Sequence, residues 1–200
     1  MAYRYHRGNR ALQDEFDTRR LADLGAEKWV HDVIAPSDRA FIERADMFFL
    51  ATVDADGRPN CSYKGGDPGF VRVLDEHTIA FPNYDGNGMY LSMGNVLVHG
   101  DVGMLFIDFE RGRRLRLNGV ATIDRNDPLL TEYPEAQFIV RVRAREVFPN
   151  CPRYIHKYHL VERSPYVPHA ECETPVPDWK RAGEYRDALP ASDPARRAQS

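Results

Sequence analysis

Between residues 48 and 147 the chain strings together short β-rich runs with links too short for a parallel crossover, and this constrains the fold more than any other feature. Residues 48–53 are apolar and β-rich. Asp54-Ala55-Asp56-Gly57-Arg58-Pro59 reads as a turn, and residues 60–64 return from it, so a hairpin is predicted. Further strands are predicted at 70–74, 78–82, 102–109, 114–123 and 136–147. Parallel neighbours need about a dozen residues of crossover, and most links here are shorter. The pattern predicts a mainly β fold with flanking helices, an antiparallel barrel of six or seven strands, closed or nearly so.

Helical spacing frames this region. Leu12, Phe16, Leu21 and Leu24, then Trp29, Val33 and Ile34, predict a helix over 9–32, with Gly25 ending or breaking it. A second helix is expected from Pro36, capped by Ser37, burying Phe41, Ile42 and Ala45. A short helix fits 89–98, and a polar one fits 127–133. The organisation expected is an N-terminal helical arm (1–35), a barrel (36–160) and a Pro-rich C-terminal arm (161–200).

Glycine and proline are segregated. Eleven of the 14 glycines lie between Gly57 and Gly119, where turns and close backbone approaches are needed, and six of the 14 prolines lie from Pro165 onward. That proline-rich end reads either as a disordered tail or as an arm packing on the barrel or on a second subunit, anchored by Trp179. A net charge of −3 gives no reason to expect nucleic acid or an anionic membrane as partner. The most apolar stretch, 47–53, is far shorter than the roughly 20 residues of a spanning helix, and the N-terminus does not read as a secretory signal. Cys61, Cys151 and Cys172 are odd in number and widely spaced, which favours a reducing, cytoplasmic setting.

Three groups of residues could carry chemistry. Pro82-Asn83-Tyr84-Asp85-Gly86-Asn87-Gly88 precedes a helix, whose first amides attract anions; it is neither a Walker A nor a Rossmann motif, and an ordinary strand-to-helix loop would read the same way. Arg114 and Arg116 share a strand face near Arg113, with Lys64 as another cation, and require either an anion or acids such as Asp108 or Glu110. His156, His159, His169 and Cys172 have a superficial zinc spacing without a CxxC knuckle, so no metal is expected. No Ser-His-Asp or Cys-His arrangement is legible. Pro149 and Pro152 stiffen the segment that carries Cys151.

Taken in order, residues 49–59, Ser62-Tyr63-Lys64-Gly65-Gly66, residues 80–89, Ser92-Met93-Gly94-Asn95, residues 102–109, Leu115-Arg116-Leu117-Asn118-Gly119 and residues 148–155 resemble the pyridoxamine 5′-phosphate oxidase-like proteins, the FMN-binding split barrels. The Asp-Gly-Asn-Gly loop and Pro-Asn-Cys-Pro-Arg-Tyr-Ile resemble a flavin-nucleotide-binding subgroup. The resemblance implies a homodimer of six-stranded split barrels with FMN at the subunit interface. It implies that Asn60, Cys61 and Ser62 lie along the isoalloxazine ring, that Lys64 is the basic residue at the end of that strand, and that Pro82 and Asn83 lie on the next FMN-lining strand. It places the phosphate by Asn87, Gly88, Met89 and Ser92. Arg114 matches a position where the oxidases carry Gln, and Arg116 matches their following Arg; Cys151 and Arg153 would approach from the partner subunit.

Two departures qualify the match. The oxidases grip the FMN phosphate with a Ser-Arg-Lys set, replaced here by Asn, Gly and Ser. Their Arg-x-His vitamin clamp has no counterpart in the Pro-rich end. The function expected is therefore an FMN-dependent oxidoreductase acting on a small molecule. The alternatives are a non-catalytic carrier of flavin, haem or deazaflavin, and the oxidase itself with little activity.

Overall fold

The computed structural model describes residues 3–197. The chain forms two compact units, the first running to Val161 and the second starting at Glu162.

The first unit begins with three helices: α1 (Arg7–Glu15), α2 (Arg19–Trp29) and α3 (Pro36–Arg44). The expected long helix is broken at Asp17, not at Gly25. Asp17 takes a left-handed φ of 50°, which a short polar side chain tolerates better than a bulky one. Gly25 is instead buried inside α2, where a Cβ would come within 3.0 Å of the Trp29 ring. α3 is capped two residues earlier than expected. Ala35 is the N-cap, Pro36 fills the first position, and the Asp38 carboxylate accepts the Ala35 N–H at 3.1 Å, leaving Ser37 inside the helix.

Seven strands follow: β1 (Met47–Val53), β2 (Pro59–Gly65), β3 (Arg72–Val73), β4 (Thr78–Asn83), β5 (Asp101–Asp108), β6 (Arg113–Asp124) and β7 (Phe138–Pro149). A helix, α4 (Leu91–Val98), separates β4 from β5, and a 3-10 turn at Pro128–Glu132 takes the place of the polar helix expected there. All pairings are antiparallel, in the order β2-β1-β5-β6-β7-β4-β3. The predicted third strand is reduced to two residues. Among the described residues no ladder joins β2 to β3, so the seven-stranded sheet is open where the sequence predicts a barrel closed or nearly so. It nevertheless curls. Phe48 of β1 packs on Phe106 of β5, on Phe70 and on Phe81 of β4, at the far side of the sheet.

The interior of that curl is the main core, including Phe48, Leu50, Met104, Phe106, Leu117, Val140 and Val142, with α3 covering it through Phe41 and Ile42. A smaller cluster of Ala80, Tyr133 and Ile139 covers the other face of the β4–β7 pair, so the start of β7 is buried on both faces. After α2 the chain is tied to β7 by paired backbone bonds between His31 and Val147 (3.1 and 2.7 Å).

The second unit is folded around a buried ion pair, with Lys180 Nζ 2.6 Å from Asp193 Oδ2. It contains α5 (Asp178–Arg181), α6 (Gly183–Ala188) and α7 (Pro194–Arg197). Trp179 meets Tyr185 edge to face at 5.7 Å. Pro177 is the N-cap of α5, Pro190 follows the C-cap of α6 and Pro194 opens α7, where a missing N–H costs nothing.

Candidate functional site

β2 is the terminal strand of the sheet, and its residues alternate in exposure. Asn60, Ser62 and Lys64 stand opposite Thr52, Leu50 and Phe48 of β1, and directly opposed residues share a face. Those β1 partners are buried, so the three β2 residues point to the core side. Polar residues on the inner face of an edge strand need polar company. α4 packs against that edge and supplies it: Ser92 Oγ donates to Ser62 Oγ at 2.9 Å, and Asn95 Nδ2 donates to Thr52 Oγ1 at 3.0 Å.

Lys64 is the exception. It is half-buried, and among the described residues no hydrogen bond or ion pair meets its ammonium. Burial pushes its pKa below the ordinary lysine value. The N-terminus of α4 is uncapped too: its N-cap, Tyr90, is left-handed (φ 49°) and makes no side-chain cap bond. The first helical amides, the Ser62 and Ser92 hydroxyls and the unpaired Lys64 belong to the β2–α4 edge. Such a set suits an anionic group such as a phosphate.

The other residues expected in the site are dispersed. In the loop, Asn87 Oδ1 accepts the Met89 N–H at 3.0 Å, and Gly88 takes a φ of 74°, which glycine adopts without strain. Asn87, Gly88 and Met89 are all exposed. Pro82 and Asn83 are buried in β4, and Asn83 Nδ2 donates to Tyr84 O (3.1 Å) and Gln137 Oε1 (3.0 Å).

Cys61 projects from the opposite face to Asn60 and Ser62, because side chains alternate along a strand. It shares that outer face with Tyr63, Phe49, Gly103, Leu105, Arg114 and Arg116. Arg116 lies over the Phe148 ring at 5.9 Å, and Arg114 Nη2 donates to the Cys151 carbonyl at 2.8 Å. Arg153 Nε lies 3.1 Å from Cys151 Sγ, and hydrogen bonds from Arg153, backbone and side chain, pull the thiol pKa down. Within one chain the inward set (Asn60, Ser62, Lys64, Ser92) and the outward set (Cys61, Arg114, Arg116) stand on opposite faces of the sheet.

Thr52 and Asn95 were not anticipated as site residues. Thr52 is 1% exposed and sits among apolar residues of β1, where a polar residue requires a partner; that alternation was the available signal. Gln137 could not have been found from the sequence, since it joins Asn83 to the Tyr90 hydroxyl (3.0 Å) only through the fold.

No helix among the described residues is long and apolar enough to cross a membrane, and no group of three or more His, Cys, Asp or Glu among them could hold a metal.

Comparison with known proteins matches residues 34–165 to the family described as pyridoxamine 5′-phosphate oxidase. Among solved structures, a putative pyridoxamine 5′-phosphate oxidase from Lactobacillus delbrueckii is 21% identical, with 59% of this chain and 95% of that chain covered and a TM-score of 0.49. An FMN-binding protein from Syntrophomonas wolfei is 11% identical, with 70% and 97% covered and a TM-score of 0.45. A heme storage protein from Vibrio cholerae is 21% identical, with 57% and 93% covered and a TM-score of 0.41. No curated protein matches the chain. The family match takes in all seven strands, α4 and the unpaired Lys64, and the chain belongs to the pyridoxamine 5′-phosphate oxidase family.

Proposed function

We propose that this protein binds FMN and works as a flavin-dependent oxidoreductase on a small molecule, as a homodimer of split barrels. The observation that carries the reading is Lys64, a partly desolvated ammonium without a counter-charge among the described residues, on the inner face of the strand whose Ser62 accepts a hydrogen bond from Ser92 in the uncapped first turn of α4. An uncompensated, partly buried cation is costly, and a phosphate monoester would relieve it.

FMN would supply the redox chemistry, accepting and releasing hydride. The chain's own part is binding and orientation. Lys64 neutralises the phosphate, the Ser62 and Ser92 hydroxyls hydrogen-bond to it, and Asn60 offers an amide to the ring system. Simple hydride transfer needs no acid or base from the protein. The pair of sheet faces supports a dimer: the outward set, with Cys61 and Arg116, would complete the site of a second copy, joined there by the Cys151–Arg153 segment. The apolar part of that outer face, including Phe49, Tyr63 and Leu105, is open in a single chain.

The test is the purified full-length chain. It should be yellow, release FMN on denaturation, and melt at a higher temperature when FMN is added. A colourless preparation that gains no thermal protection from FMN would overturn the binding reading. Bound FMN that neither NADH nor NADPH reduces would retire the oxidoreductase and leave a flavin carrier.

A further inference from the structure

The N-terminal helix pair is joined by polar contacts and carries its large apolar side chains on the outside. The Tyr5 hydroxyl donates to the Ala22 carbonyl at 2.9 Å, Arg10 Nη1 meets Asp23 Oδ1 at 2.8 Å, and Arg19 holds Asp14 through two bonds of 2.6 Å. No residue of α1 is buried, and Gly25 is the one buried residue of α2. Leu12, Phe16 and Leu21 are 59%, 67% and 62% exposed, and Leu24 and Trp29 are half-exposed. Leu12 and Phe16 stand one turn apart, as do Leu21 and Leu24, so the members of each pair are neighbours. A surface helix ordinarily turns such a stripe to the core. Helices of 9 and 11 residues are marginal in water alone and depend on the packing of that face. A contiguous exposed apolar patch of this kind marks an interaction site.

We propose that the apolar face of α1 and α2 docks on a second copy of this chain. The inference rests on the dimer reading above and extends its interface. Two observations select this occupant. Arg7–Trp29 holds as many Lys and Arg as Asp and Glu, five of each, and Arg10 and Arg19 are already paired within the hairpin. An anionic lipid surface or a nucleic acid draws on a basic excess, which is missing here. An apolar stripe bordered equally by both signs is suited to meeting itself across a two-fold axis. The second observation is where the hairpin is anchored. α2 leads into His31, whose backbone pairs with Val147 of β7, and the next residue, Phe148, lies opposite Arg116 on the outward sheet face. The helix pair therefore starts at the border of the face that would join two chains, and its stripe lengthens that contact.

The experiment is sedimentation equilibrium of the full-length wild type, of Leu12→Glu/Phe16→Glu and of Leu21→Ser/Leu24→Ser. All four positions are exposed in a single chain, so the circular dichroism spectrum should be retained. The wild type should be a dimer, and each double variant should raise its dissociation constant at least about tenfold, about 1.4 kcal/mol. Unchanged dissociation constants in the folded variants would overturn the docking and leave the dimer reading standing, since Tyr63→Glu tests the sheet face separately. A monomeric wild type would overturn both. If the first variant loses its circular dichroism spectrum, the second decides. Co-sedimentation of the wild type with phosphatidylserine vesicles, abolished in Leu12→Glu/Phe16→Glu, would assign the face to a membrane and overturn the proposal.

Discussion

Phe48 of β1 and Phe81 of β4 meet edge to face, with ring centroids 5.0 Å apart and 71° between planes, although β5, β6 and β7 lie between their strands in the sheet. The contact measures the curl: a flat sheet would hold the two rings several strand spacings of about 4.8 Å apart. Both rings are essentially inaccessible to solvent. Phe48→Ala should cost about 4 kcal/mol, from lost burial plus the cavity left among Phe70, Phe81 and Phe106. Urea unfolding of the two proteins measures it; a loss under about 1 kcal/mol would mean that the curl does not depend on this contact.

Lys64→Met should weaken FMN binding at least about tenfold while leaving riboflavin affinity unchanged, because only FMN carries the phosphate. The pKa of Lys64 lies below the ordinary lysine value because burial disfavours the charged form. The charged form is the one that binds phosphate. FMN affinity should therefore fall as pH rises, starting below the usual lysine value of about 10.4, and that dependence should vanish in the variant. Fluorescence titration against both ligands across pH checks this.

Asp127 is buried and pairs with Arg141, Nε to Oδ2 at 2.5 Å and Nη2 to Oδ1 at 3.1 Å. The hydrogen bonds from Arg141, with the Leu129 amide, hold its carboxyl below the ordinary carboxylate range. A depressed folded-state pKa contributes stability that is complete above the unfolded value of about 3.9 and is lost as pH falls through the lower folded value. Asp127→Asn should cost about 2 kcal/mol at neutral pH. The gap to the wild type should narrow below about pH 4, read from urea midpoints at several pH values. A gap that stays constant into acid would refute the pairing.

Gly119 marks the register shift between β6 and β7, and a Cβ there would collide with the Arg143 carbonyl. Backbone on backbone leaves no flexible atom to move. Gly119→Ala should destabilise by about 2 kcal/mol or more, the range for overpacking against a fixed neighbour. Thermal unfolding followed by circular dichroism tests it; an unchanged melting temperature would show that the bulge can shift at no cost.

Tyr63 is 61% exposed and stacks edge to face on Phe49 at 6.1 Å, on the open outer face. If that face joins two chains, Tyr63→Glu should convert a dimer to a monomer in sedimentation equilibrium, with the circular dichroism spectrum retained. FMN stoichiometry should fall with the dimer, since each site would draw on both copies. A wild-type chain that sediments as a monomer would remove the dimer from the functional reading.

Much of this fold was legible in local chemistry. The Asp54–Pro59 turn, the alternation of β5 and β6, and the short links between strands dictated antiparallel pairing, because backbone geometry allows nothing else over so few residues. Ser62, Lys64 and Ser92 were named as site residues from their place in an ordered set of motifs, and the Ser62–Ser92 hydrogen bond unites two of them. Helix ends were less legible. Gly25 and Ser37 looked like a break and a cap, but Gly25 is held inside α2 by close packing with Trp29, and Asp38 rather than Ser37 binds the α3 entry.

The sequence by itself determined which segments are strands, which faces are apolar and which residue types could meet a phosphate, since these follow from side-chain period, turn chemistry and charge. Only the tertiary structure decided which residues share a face and which stay unpaired. The β1–β2 register separates Cys61 from Asn60 and Ser62, and the curl of the sheet brings Phe48 to Phe81. The packing of α3 on the ends of β6 and β7 leaves Arg114 Nε and Asn150 Oδ1 without partners. Such relations depend on contacts between residues distant in the chain, which no local pattern encodes.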